Sequence, residues 1–340
     1  MNSSTSQRAK PGAAAPADSH ALIVAYSPVA PEQSVSSDWP NVHAPDAARA
    51  TANEVGVSAP PDTRRALRVF LRNPTAVIGC AFLIAVAIMA LGAPWFFPGD
   101  PLDMVAEPFL WPGQDMAYFL GTDSMGRDVA AGIAHGSRVS LLVGISATLI
   151  GLTIGITVGA LAGYFGGWVD DVLQRLIELF QTIPNFILLV VLVAIAQPSI
   201  DTIVVAIGLV TWPTVARLVR AEFRALRTKD FVVAARSLGF GSARIIFREI
   251  LPNALPPVIV TASVMVASAI LMESALSFMG MGDPNVVSWG SMIGSGRELL
   301  RTAWFLTAAP GLAIVFTVLA FNLIGDGIND ALNPRFSQDR

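Results

Sequence analysis

Six intervals without a single charged residue limit what this chain can become: 73–99, 139–169, 179–200, 202–216, 250–272 and 302–325. A helix needs roughly 20 mostly apolar residues to cross the hydrocarbon core of a bilayer. The expected fold is an all-α membrane protein with six transmembrane helices. The second interval is rich in Gly, Ala, Ser and Thr, the small residues that let membrane helices approach closely. The fourth, 202–216, is short, and Asp201 and Arg217 are expected to reach the interface from its two ends. Only a Gln197-Pro198-Ser199 turn separates the third and fourth spans, which predicts a tight hairpin.

Composition agrees. The chain is 53% hydrophobic and 14% charged, whereas soluble domains carry about 25% charged residues. The single cysteine, Cys80, lies in an apolar run and reads as a small buried thiol. Residues 1–62 differ from everything after them, being rich in Ala, Pro, Ser and Asp with no apolar periodicity. They are expected to form a disordered cytoplasmic tail, and no apolar core follows Arg8 and Lys10 as a signal peptide would require. Residues 63–73 alternate cations with Leu67, Val69, Phe70 and Leu71, which predicts an amphipathic interfacial helix before Pro74 turns the chain inward. Residues 74–335 then form the transmembrane domain.

Lys and Arg placement orients the spans. Arg64, Arg65, Arg68 and Arg72 precede the first, and Arg217, Arg220, Arg224, Arg227, Lys229, Arg236, Arg244 and Arg248 follow the fourth. The loop after the first span carries Asp100, Asp103, Glu107, Asp115, Asp123 and Asp128 against Arg127 and Arg138. The positive-inside rule places both termini and the 217–252 loop in the cytoplasm.

That loop contains a polar, Arg-bearing stretch, DFVVAARSLGFGSARIIFREILPN, at residues 230–253. Asp230 can cap a short helix through Ser237, Gly239 can stop it in the left-handed conformation, and a second helix is expected over 242–250, ended by Pro252. Apolar residues Ile245, Ile246 and Phe247 in an aqueous loop call for a covering surface.

Ala234-Ala235, Gly239 and Leu251-Pro252 resemble the EAA loop of ABC importer permeases, with Val233 where that family often has Glu and Glu249 where it has Ile. FLGTDSMGRDVAAGIAHGSRVSL at 119–141, LSFMGMGDPNVVSWGSMIGSGR at 276–297 and FNLIGDGINDALNP at 321–334 resemble C-type permease subunits of dipeptide and oligopeptide importers. The resemblance implies the type I permease fold and a bacterial inner-membrane location. It implies docking to a separate ATPase through Ala234, Ala235, Gly239, Leu251 and Pro252. Implied partners are a second homologous permease, two ATP-binding cassette subunits and an extracytoplasmic binding protein. The implied cargo is peptide, with nickel or glutathione as alternatives among relatives.

Read on their own, the residues place Glu273 at the outer end of the fifth span as a candidate for the pathway. The Gly-, Pro- and Trp289-bearing segment behind it cannot be a regular span and is expected to be re-entrant or a lid near that pathway. Asp170, Asp171 and Glu178 are expected at the inner mouth, and Asp326 and Asp330 as structural pairing groups. The only lysines, Lys10 and Lys229, follow no glycine-rich phosphate loop, so ATP and Mg are expected on partner subunits and no cofactor on this chain. Nearly charge-free spans argue against an ion-coupled carrier, and scattered His20, His43 and His135 without HExxH or GxSxG argue against an enzyme.

Overall fold

The computed structural model describes residues 63–332. The tail expected over 1–62 and the last residues of the expected 74–335 domain lie outside them. The described residues form helices joined by loops, with one isolated β-bridge between Thr122 and Asp128.

Helix α1 (Thr63–Arg72) ends at Asn73, whose side chain caps the next helix by accepting from the Thr75 amide at 3.1 Å. Pro74 opens α2 (Pro74–Phe96), where its missing N–H costs nothing. Asp128 caps α3 (Val129–Phe165) through the Ala130 amide at 2.8 Å. Its 37 residues measure about 55 Å, well beyond a bilayer core. The chain continues as α4 (Gly167–Gln181), α5 (Asn185–Ala196), α6 (Ile200–Leu226) and α7 (Asp230–Ser237). One continuous helix, α8, covers Ser242–Phe278, followed by the short α9 (Trp289–Gly296) and α10 (Phe305–Leu332).

Helices α2, α3, α6, α8 and α10 are each long and apolar enough to cross a membrane. The third expected span is different. Instead of one helix over 179–200, α4 and α5 meet at a bend of 80° around Thr182–Pro184. At 12 residues, about 18 Å, α5 is too short to span alone, so a sixth crossing exists only as a broken one. The physical reason is Pro184, which forces Ile183 out of helical geometry. The fourth span departs the other way: α6 runs ten residues past the charge-free interval, through Arg217, Arg220 and Arg224, to Leu226. The expected turn between α5 and α6 is present, with Gln197 in the left-handed region (φ 71°) and Ser199 capping α6.

The bundle is organised around α3 and α6. Gly151, Gly155, Gly159 and Gly163 recur every fourth residue, which puts them on one face of α3. A Cβ at Gly155 would lie 2.5 Å from Val215 Cβ and 2.8 Å from the Trp212 carbonyl. At Gly159 it would meet the Ala216 carbonyl at 2.5 Å, and at Gly163 Phe223 Cβ at 2.5 Å. From the other side, Gly208 on α6 leaves room for Ile150, 2.7 Å from where its own Cβ would be. The two helices therefore approach closely along about three turns of α3. The same device recurs between α2 and α10, where Gly327 abuts Ala76 and Gly79 abuts the Ala320 carbonyl.

Two ends result. One carries α1, the start of α4, the end of α6, α7 and the end of α10. There Asn73 Nδ2 donates to Asp330 Oδ2 at 3.2 Å, and Phe70 packs over Gly327. The opposite end carries the 97–128 loop and α9. Gly159→Val should overpack the α3–α6 contact and destabilise the fold by about 1–3 kcal/mol or more. Gly311→Ala, with nothing within 4 Å of the new methyl, should be near neutral. Thermal unfolding of both variants in detergent tests this contrast.

Candidate functional site

The basic end presents an elbow built from α7, the Gly239 turn and the first two turns of α8. Leu238 ends α7, and Gly239 follows at φ 77°. The Phe240 amide donates to the Ala235 carbonyl at 3.1 Å and the Gly239 amide to Arg236 at 2.9 Å. This nested pair is the Schellman stop, which places its C′ residue in the left-handed region that glycine alone enters without cost. Nothing lies within 4 Å of a Cβ built on Gly239, so the demand is on the backbone and not on space.

Asp230 does not cap α7 as expected. It is the first helical residue, no side chain caps the helix, and its carboxylate lies in the first turn, where the helix dipole favours negative charge. Pro252 likewise does not end the second helix. The ladder widens instead over Ile245–Ile250, the Leu251 amide reaching back to the Ile246 carbonyl, and the helix continues as α8. That wider turn absorbs the amide that Pro252 lacks and relieves its ring from the preceding carbonyl. Asn253 Nδ2 adds a bond to the Glu249 carbonyl at 2.6 Å.

The elbow has two faces. Val232, Ala235, Ile245, Ile246 and Ile250 are buried with Val219 and Phe223 of α6 and Tyr164 of α3. Two of the three apolar residues that seemed to need an outside partner, Ile245 and Ile246, are therefore covered by the bundle itself. The outer face keeps Phe231, Val233, Leu238 and Phe247 exposed, Leu238 at 72% and Phe247 at 67%. Of the five residues singled out in the loop, Ala234, Gly239 and Pro252 lie on the exposed surface, Ala235 is buried and Leu251 is half-buried. Arg244 stacks 3.7 Å over the Phe240 ring and Arg236 lies 5.4 Å over Tyr164. The arrangement offers a firmly backed apolar surface with a basic margin, suited to receiving another protein.

At the opposite end the two pathway candidates are both interior. Trp289 is 0% exposed, its Nε1 donates to the Ile133 carbonyl at 3.0 Å and its amide to Ser140 Oγ at 3.3 Å. Glu273 is 3% exposed, and Oε1 accepts from Ser277 Oγ and Ser288 Oγ, each at 2.7 Å. Ser288 in turn caps α9 through a capping box with Ser291. Neither side chain faces an open passage in this structure. Together they tie α8, α9 and α3 into one unit, and the segment expected to be a lid is anchored there by α9. The GTDSMGRD turn is a capping device: Asp123 accepts from the amides of Met125 and Arg127, and Asp128 caps α3. No ion pair joins them to Arg127 or Arg138 among the described residues. Burial pushes the Asp128 carboxyl up, against amide hydrogen bonds from Ala130 and Ala131 that pull it down. Asp123, Arg127, Asp128 and Asp283 share the wall of a cavity of about 200 Å³.

Residues 155–338 match the family described as the binding-protein-dependent transport system inner membrane component, and residues 63–115 match the N-terminal TM domain of oligopeptide transport permease C. This chain belongs to the binding-protein-dependent permeases. The permease is 37% identical over 292 residues to the di/tripeptide transport system permease protein DppC of Pseudomonas aeruginosa, covering 84% of this chain and 96% of the relative. It is 41% identical over 275 residues to the dipeptide transport system permease protein DppC of Escherichia coli (strain K12), covering 79% and 92%. In fold it resembles a chain of the inward-facing MetNI methionine ABC transporter, with TM-score 0.50 at 18% identity, covering 59% of the permease and 96% of that chain. The permease is thus a multi-pass inner-membrane subunit of a bacterial ABC importer, a family that works with an ATPase and further subunits.

Sequence reasoning missed the ion pair beneath the elbow. Arg220 on α6 grips Asp170 on α4 bidentately, with one bond at 2.9 Å, and Arg224 stands 3.7 Å away. In sequence alone Arg220 reads as loop charge and Asp170 as an inner-mouth acid. The remaining signal was their placement at adjoining span ends with opposite sign. Glu273→Leu should leave the Ser277 and Ser288 hydroxyls buried without their acceptor and lower stability by about 1–3 kcal/mol. Trp289→Ala should cost about 3–5 kcal/mol. Thermal melts of the detergent-solubilised permease check both figures, and no loss in either would separate these residues from the fold.

Proposed function

We propose that the permease moves peptides of two or three residues inward across the cytoplasmic membrane by alternating access, driven by ATP held on partner subunits. The observation that carries this reading is the outer face of the Gly239 elbow. It is apolar, rigidly backed by α3 and α6, and uncovered by the chain's own described residues. Exposed contiguous apolar surface of this kind marks a protein-docking site. We assign the docking role to Ala234, Gly239 and Pro252 on the surface, with Ala235 and Leu251 holding the elbow against the bundle. Val233, where relatives often carry Glu, removes one polar contact and leaves the apolar ones.

The cation-rich end is cytoplasmic in this reading, supported by the Lys and Arg bias of 217–248 over the acidic 100–128 loop. Two ATP-binding cassette subunits dock there, a second homologous permease completes the pathway, and an extracytoplasmic binding protein delivers cargo to the acidic end. ATP and Mg belong to the cassettes, and this chain needs no cofactor of its own. Peptide is favoured because the relatives most similar over most of the chain are named for dipeptide and di/tripeptide transport.

Gly239→Val tests the docking reading, since a β-branched residue in left-handed geometry is strained by about 1–2 kcal/mol while meeting no neighbour. Uptake of a labelled dipeptide should be lost, with the amount of permease in the membrane fraction unchanged. Normal uptake by that variant would contradict docking through the elbow.

A further inference from the structure

Helix α4 is built as a separate lever. On one side it is bounded by Gly166 and Gly167, both in the left-handed region at φ 67° and 54°. On the other it ends at the Thr182–Pro184 break, where α5 departs at 80°. A glycine pair at one end and a proline break at the other interrupt the helical ladder around this 15-residue helix, so its position depends on what holds it from the side.

What holds it is chiefly α6, along one stripe and at both ends, with Ile154 and Val158 of α3 joining the apolar middle. At the near end Arg220 grips Asp170 with two parallel hydrogen bonds, both groups largely shielded from solvent. In such surroundings a bidentate pair is strong, and removing one partner strands the other charge. In the middle Ile177 is fully buried against Trp212 and Ala216, and Phe180 meets Trp212 edge-on at 5.2 Å between ring centres. At the far end Arg217 Nη1 donates to Gln181 Oε1 at 3.2 Å. The other face of α4, with Trp168, Val172 and Leu179, is exposed.

The same part of α6 backs the elbow. Phe223 and Val219 lie under Val232 and Ile245, while Arg227 Nη1 donates to the carbonyls of Gly163 and Tyr164, the last turn of α3 before the glycine pair. Arg236 of α7 covers the Tyr164 ring. A push on α7 therefore meets the end of α6 and the joint of α4 together.

We propose that Asp170 and Arg220, assisted by Gln181 and Arg217, are positioning residues that clamp α4 to α6, so that displacement of the Gly239 elbow carries the broken third crossing with it. The proposal rests on the docking reading above and adds the residues that pass the motion on.

The test uses the assembled importer complex in lipid nanodiscs, in a Cys80→Ser background, with spin labels at V172C on α4 and I88C on α2. Adding ATP with vanadate should shift the distance between the labels. In Asp170→Asn the shift should be lost while ATP hydrolysis continues, and in Asp170→Glu it should be kept. If Asp170→Asn does not assemble, Arg217→Gln carries the same measurement, and there the shift should fall. An unlabelled-pathway ratio gives a second reading: cargo moved per ATP hydrolysed should drop about tenfold in Asp170→Asn. No shift in the parent complex, or a full shift in the variants, overturns the clamp. Absence of any co-purified ATPase would instead sink the docking reading on which it rests.

Discussion

The α3–α6 contact is the interaction on which the rest of the structure depends. In lipid there is no hydrophobic drive to bring two apolar helices together, so packing contacts and short approach distances must do it. Glycines at 151, 155, 159 and 163 leave four successive positions of that face bare, and the carbonyls of Trp212, Ala216 and Arg220 with the side chains of Val215, Val219 and Phe223 fill the space. Because α6 extends beyond its apolar interval at the basic end, this contact also fixes where Arg217, Arg220, Arg224 and Arg227 emerge. These cations then hold α4 and the last turn of α3, and the apolar residues between them seat α7. The elbow is positioned by the glycine seam, whose last member, Gly163, abuts Phe223 beneath it.

Seen from the elbow, the chain divides its apolar residues between two duties. Val232, Ile245, Ile246 and Ile250 bind α7 and the start of α8 to the bundle, which makes the surface rigid. Phe231, Leu238 and Phe247 remain outside, where a partner can reach them. A flexible loop would lose much of a partner's push as internal rearrangement, whereas a backed one passes it on. Opposite, Glu273, Ser277, Ser288 and Trp289 form a closed knot that holds α9 on α8 and α3. In the proposed mechanism motion enters at the elbow, beside the breaks that bound α4, while this knot braces the far end.

Much of this was legible in the residues. Charge-free intervals located five of the crossings, the Gln197-Pro198-Ser199 turn located the hairpin, and the spacing of Ala234, Gly239 and Pro252 located the elbow. Helix ends were less legible where tertiary contacts decide them. Nothing local says that α6 continues to Leu226, because its extension is held by Arg220 on Asp170 and by Arg227 on α3 carbonyls. Pro252 reads as a stop in sequence, yet a widened turn lets the helix pass it. The break at Pro184 was hidden inside an apolar run that has the right length for one span. Glu273 and Trp289 were expected near a pathway because an ionisable group and a glycine-rich segment in a membrane suggest one. In this structure the hydroxyls of Ser274, Ser277 and Ser288 meet the Glu273 carboxylate, and the Ile133 carbonyl accepts from the Trp289 indole, all in the interior.

The central claim is that the outer face of the elbow is held by a nucleotide-hydrolysing partner. Its most direct measurement is photo-cross-linking in living cells from p-benzoylphenylalanine placed at Leu238, a position whose side chain is exposed and takes no part in backing the elbow. The account predicts a single major adduct containing an ATP-binding cassette subunit. An adduct with an extracytoplasmic protein, or with lipid alone, would contradict it.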